Sequence, residues 1–227
     1  MHHVYWCNVF ILLAADKEIN ENLHQSKWCK MIEFLEHIVD IKSGHPFRGS
    51  VPEVVDGNGY ALQMRDLNPD GSVAWSNLVR TSVEGRREPD WLMPGDVVFV
   101  ARGQRNYAVC LSEVRLPAVC SQYFFLLRCK TSTLSPEFLA WQINSAPCQR
   151  YLAKNAEGSD QLGIRRPVLE SLQVVVPDLE TQHRIVSLQQ HALAERKVLE
   201  SLIRNREQQL DALAFDLFSD KSNIGNQ

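Results

Sequence analysis

Residue types that could do chemistry are scattered through the sequence and form no familiar catalytic set. His45, His183 and His191 are lone histidines and read as surface or helix residues, not as general acids or bases. Ser, His and Asp all occur, but no G-x-S-x-G elbow presents a nucleophile. No G-x-x-x-x-G-K-[ST] loop is present to cradle phosphates, and the "GNGY" at Gly57 reads as a turn. Neither H-E-x-x-H nor a Cys/His cluster at metal-ligand spacing occurs. The six cysteines contain no C-x-x-C pair, and Cys110, Cys120 and Cys129 lie in apolar strand-like runs where a thiol acts as a small hydrophobe. This pattern is that of a reduced, cytoplasmic, non-catalytic protein holding no metal and no cofactor of its own.

What remains is charge. Residues 1–40 carry 3 Lys and Arg against 6 Asp and Glu, and residues 167–227 carry 6 against 9. Residues 41–166 carry 15 against 12, a balance of +3, so only the middle of the chain is net basic. Such an excess points toward a polyanion, although an imbalance of this size is also what an ordinary solvated surface shows. The apolar run "VYWCNVFILLAA" is too short to span a bilayer, and the "MHH" before it lacks the basic residues of a signal peptide. Residues 1–30 read as an accessory extension, and Met31 would itself make a sensible beginning.

The elements that would hold these residues divide the chain in two. Phe34, Ile38 and Ile41 share a helical face and predict a short amphipathic helix over Glu33–Ile41. "KSGHPFRGSVPEVVDGNGY" has four glycines and two prolines and reads as a long loop of the kind that carries function. "YALQMRDL" reads as a strand with Gln63 and Arg65 on one side and Leu62 and Met64 on the other. "NPDG" is a turn, and "WLMPGDVVFVARG" is a turn followed by a buried strand over Val97–Ala101. "YAVCL" and "QYFFLLRC" add strands. "SPEFLAWQINS" opens a largely buried helix capped by Ser135 with Pro136 in its first turn. "AEGSDQLGIRRP" is a second polar loop, and "LESLQVVVP" a final strand closed by Pro177. Residues 31–177 therefore read as an α+β domain, strand-rich with short helices.

From Asp178, which reads as the N-cap, a helix of some forty residues follows, with residues 219–227 as a tail. Its apolar positions are Ile185, Leu188, Ala192, Leu199, Ile203, Leu210, Leu213 and Leu217, with Arg206 in the same register. From Leu199 the steps alternate four and three, which is heptad spacing. Forty residues span roughly 60 Å, more than a domain of this size can cover, so the helix requires a helical partner.

Taken together, separated stretches resemble the specificity subunits of type I restriction-modification systems. "PDLETQHRIV" is similar to the P-P-L-x-x-Q-x-x-I junction between a strand and a long helix in that family. "IVDIKSGHPFRG" resembles the opening of their target recognition domains, and "WLMPGDVVFVARG" their L-x-x-G-D strand and glycine loop. "SPEFLAWQINSAPCQRYLAKNAEGS" and "IRRPVLESLQVVVP" continue in the right order, covering residues 33–217. The resemblance implies a recognition domain that reads half of a split site in double-stranded DNA. It also implies a helix that acts as spacer and dock for adenine methyltransferase subunits, and association with the restriction/translocase subunit in systems that cleave. The chain lacks an Asn-Pro-Pro-aromatic tetrad and a glycine-rich cofactor loop, so S-adenosylmethionine is expected only in the partner methyltransferase. With one recognition domain, one helix and no internal repeat, the chain resembles half of a subunit, which an antiparallel homodimer through the helix would complete.

Under that resemblance the DNA-contacting residues fall in four groups. Lys42, Ser43, His45 and Arg48 lie in the first loop, and Gln63 and Arg65 on the strand face. Arg102, Gln104 and Arg105 follow the buried strand, and Lys154, Ser159, Gln161, Arg165 and Arg166 belong to the second loop. Arg and Gln suit bidentate contacts to guanine and adenine edges, whereas Lys and Ser suit phosphates. A solvated surface is the alternative for each group, and a salt bridge tying down the loop is the alternative for Arg165 and Arg166. The balance of +3 is modest for a DNA reader, so the isolated chain is expected to bind DNA weakly without its methyltransferase partners. The acidic first forty residues have no place in the family pattern. Two rival readings stand: a coiled-coil interaction adaptor that does not read DNA, and a detached recognition domain of a fused restriction-methyltransferase.

Overall fold

The computed structural model describes residues 31–68, 71–85, 88–158 and 163–223, the last five without their side chains. The N-terminal extension, Ser159 and Gln161 lie outside the described residues. The architecture is α+β, and the described residues form nine short strands, four short helices and one long one.

The centre is a four-stranded antiparallel sheet in the order β2-β8-β5-β6, built from Val39–Ser43, Phe124–Cys129, Val97–Val100 and Ala108–Cys110. All four residues of β5 are buried, and the period of two explains how. Val97 and Phe99 face a helical layer, while Val98 and Val100 face a second sheet. That sheet has the order β4-β3-β7 (Val79–Thr81, Gly59–Leu62, Ala118–Cys120), with β3 antiparallel to β4 and parallel to β7. The helical layer consists of α1 (Leu35–Ile38), α2 (Pro136–Asn144), α3 (Ala146–Asn155) and α4 (Arg166–Glu170). Phe138, Leu139 and Ile143 of α2, Leu152 of α3 and Leu169 of α4 fill one core with β2 and β5. A two-stranded pair of β1 (Ile32–Phe34) and β9 (Gln173–Val175) joins the start of the domain to the segment leaving it.

Ser135 caps α2 as its sequence predicts, its Oγ accepting from the Phe138 N–H at 3.3 Å. Two local expectations are corrected. Glu33–Ile41 is not one helix: only Leu35–Ile38 is helical, between β1 and β2. Val39 and Ile41 are buried while Asp40 and Ser43 are exposed, and this alternation, paired to β8, outweighs the helical spacing of Phe34, Ile38 and Ile41. Likewise β3 stops at Leu62, so Gln63 and Arg65 do not share a strand face. The Gln63 N–H donates to the buried Asp66 Oδ2 at 2.8 Å, and Met64–Asp66 close into a 3-10 turn with Met64 outward.

The last helix, α5, runs from Leu179 to Asn223, 45 residues or about 68 Å. Asp178 caps it, Oδ1 accepting from the Thr181 N–H at 2.9 Å. Among the described residues, its first turns pack on the domain through Gln182, Ile185 and Val186. No described helix is long and apolar enough to cross a membrane.

Candidate nucleic-acid interface

The strand registers bring several candidate residues to one edge of the domain. Ser43 pairs with Phe125 and Val100 with Phe124, so the C-terminal ends of β2 and β5 meet the start of β8. Leu62 pairs with Cys120, which puts the ends of β3 and β7 there as well. Ser121–Tyr123, the turn from β7 into β8, lies in the middle and organises its neighbours through backbone bonds. The His45 N–H donates to Cys120 O at 2.7 Å, the Ser121 N–H to Leu62 O at 3.0 Å, and the Ala101 N–H to Tyr123 O at 2.8 Å.

Two glycines make this convergence possible. A Cβ on Gly44 would lie 2.0 Å from Ser121 O, so no other residue lets the β2 exit approach the turn. A Cβ on Gly103 would lie 3.2 Å from Met64 Sδ, which places the Arg102–Arg105 loop against the Met64 turn. Asn106 rigidifies that loop, its Nδ2 donating to Val100 O at 3.0 Å and Ala101 O at 3.1 Å. The second loop reaches the same edge: the Ile164 N–H donates to Ala101 O at 2.8 Å, and Gly163 bridges Arg102.

The edge therefore gathers Ser43, His45, Gln63, Arg65, Arg102, Gln104, Arg105 and Arg165. Arg102, Gln104 and Arg105 are exposed and make no ion pair with any described residue. Arg65 is exposed beside Asp66, 3.9 Å from Nε to Oδ1. Arg165 is exposed and paired with Glu157 across the loop. The His45 ring packs edge-on against Phe47 at 4.7 Å, and burial lowers its pKa, keeping it neutral at pH 7 as a donor–acceptor group. Burial raises the Asp66 carboxyl pKa, opposed by the Gln63 N–H and the Arg65 charge. Gln63 Nε2, Asp66 Oδ1 and Ser121 Oγ are buried here without a hydrogen-bond partner among the described residues, an uncommon concentration.

The other candidates lie elsewhere. Lys42 is held by Asp90, and Arg166 pairs with Glu170 at 2.7 Å. Both line a depression with Lys130, Glu36, Asp40 and Glu170, where three cations meet three carboxylates and no anion site results. Lys154 projects from the last turn of α3, and Arg48 from the loop after Phe47. Sequence reasoning missed Met64 and Tyr123, two exposed large side chains on the edge. The strand reading had buried Met64; the turn connecting β7 to β8 marks Tyr123 only once the sheet order is known.

On α5, Leu188, Leu199, Ile203, Leu210, Leu213 and Leu217 are each more than half exposed, and Arg206 is exposed among them. Ala192 is partly covered. Ile185, named in the same set, is partly buried against its own domain's core.

No protein-family model matches the sequence, and no curated protein does. Solved structures do. The type I restriction-modification system S subunit from M. genitalium is 16% identical with a TM-score of 0.51, over 86% of this chain and 47% of that one. A chain from a structure of complex assembly and conformational transition in the type I restriction-modification system is 17% identical with a TM-score of 0.60, over 90% of this chain and 49% of that one. This chain spans about half the length of the solved chains it matches. It has the fold of one half of a type I restriction-modification S subunit: an α+β domain followed by a long helix.

Proposed function

We propose that this chain is a DNA-specificity subunit of a type I restriction-modification system and is not itself catalytic. It reads one half of a bipartite site in double-stranded DNA through the edge carrying His45, Gln63, Arg65, Arg102, Gln104 and Arg105. Its helix pairs antiparallel with a second copy and docks adenine methyltransferase subunits, which bind S-adenosylmethionine, and the restriction/translocase subunit where the system cleaves. Two-fold symmetry then gives inverted-repeat half-sites.

The observation that carries this reading is the division of labour in the fold. An edge carrying Arg102 and Arg105, which make no ion pair with any described residue, sits on the central sheet, and a 45-residue helix leaves the same domain with Leu199, Ile203, Leu210, Leu213 and Leu217 more than half exposed. Those residues support association, since a helix exposing Leu199, Ile203, Leu210, Leu213 and Leu217 along one stripe gains by burying them against another helix.

Co-expression with an adenine methyltransferase subunit, followed by light scattering, tests the assembly. A complex holding two copies of this chain is expected. Self-association with no methyltransferase retained on the chain would favour the adaptor reading instead.

A further inference from the structure

Gln182 is fully buried at the joint where α5 leaves the domain. Its Oε1 accepts from the Ser135 N–H at 2.8 Å, and its Nε2 donates to Thr133 O and Pro177 O, both at 2.7 Å. One amide thus ties the first turn of α5 to the N-cap of α2 and to the exit strand. Gln142 of α2 adds a second tie, its Oε1 accepting from the Val175 N–H at 3.1 Å. Beyond Ala192 every described side chain of α5 is exposed, so no burial against a described residue of the domain steadies its direction further along.

A lever of this shape magnifies error at its base. Over the 45 residues of α5, a 10° tilt moves the far end by about 12 Å, which is more than three base pairs at about 3.4 Å each. Rotation matters as well. At about 100° per residue, the domain-facing side (Gln182, Ile185, Val186, Gln189) lies roughly a quarter-turn from the stripe of Leu199, Ile203, Leu210 and Leu217. The joint therefore fixes both where the helix points and where its apolar stripe faces.

We infer that Gln182 is a positioning residue that sets the direction and phase of the long helix relative to the recognition edge, and through them the gap between two half-sites. The second part rests on the proposed DNA function; the first does not.

The test uses Gln182→Met, which keeps the bulk and loses all three hydrogen bonds, with Gln182→Glu as the second variant should the first not fold. Asn144→Leu is the control: Asn144 also makes two side-chain bonds to backbone, to the Ala108 N–H at 2.8 Å and Ala108 O at 2.7 Å, but away from the joint. Spin labels on unnatural amino acids at Ser112 and Asn205, in labelled chain diluted with unlabelled chain, report the distance between domain and helix. The native chain and Asn144→Leu should give one narrow distribution, and the Gln182 variant one broadened by 5 Å or more on the lever estimate. In the methyltransferase complex, the same variant should methylate unchanged half-sites with the gap relaxed by one or two base pairs. An unbroadened distribution overturns the positioning role. Broadening with an unchanged gap overturns its link to half-site spacing. If no complex methylates DNA, the DNA reading fails and the spin-label result alone decides the joint.

Discussion

Arg128 grips the buried Asp96 carboxylate with two hydrogen bonds, Nε to Oδ1 at 2.7 Å and a terminal nitrogen to Oδ2 at 2.8 Å. The Met93 N–H adds a third to Oδ2 at 2.8 Å. The Asp of the Pro-Gly-Asp turn is therefore structural: it closes the turn into β5 and locks it to β8. Asp96→Ala strands a guanidinium and an N–H, and should cost about 3 kcal/mol. Urea unfolding measures this; an unchanged midpoint would contradict it.

Arg102 and Arg105 stand exposed at the edge, their side chains in no ion pair with any described residue. Changing either to Ala should leave the melting temperature unchanged and cut DNA methylation by the assembled complex about fivefold or more, since a good bidentate base contact supplies about 1–3 kcal/mol. An arginine on a phosphate would instead lower the salt dependence of binding by about one unit of slope, with no change in motif. Full activity in the double variant would remove this loop from the interface.

The proposed helix pairing rests on apolar residues that stay exposed on α5. Ile203→Glu and Leu210→Glu each put a charge in the middle of the exposed stripe. Light scattering should show monomers for both, with the domain's unfolding transition retained. A dimer surviving both substitutions would place the interface off this stripe.

Burial pushes the Cys110 and Cys120 thiols up to about 12 and Cys129 up to about 11. At pH 8 the thiolate fraction is then on the order of one in a thousand or less, and the thiolate is the reactive form. Iodoacetamide at pH 8 should leave Cys120 unmodified in the native chain and label it after denaturation, read by site-resolved mass spectrometry. Rapid labelling of native Cys120 would show that β7 opens.

Much of the frame was legible in the sequence because it is set locally. Ser135 and Asp178 cap their helices as short-range signals dictate, the buried run Val97–Val100 is a central strand, and the four-three spacing from Leu199 marks the uncovered helix. What was not legible depends on pairing between distant segments. Gln63 leaves the strand because Asp66 captures its N–H, and Lys42 is taken by Asp90 from another loop. Arg165 and Arg166 are adjacent yet separate, one at the edge with Glu157 and the other beside Glu170. Gln182 was visible in the junction pattern, but its partners Thr133 and Ser135 lie more than forty residues away.

The most direct measurement is the methylation map of a plasmid library exposed to this chain co-expressed with an adenine methyltransferase subunit. Methylated adenines confined to one split motif with inverted-repeat halves and a fixed gap are predicted. Absence of any methylated motif, or an uninterrupted asymmetric one, would contradict the half-subunit account.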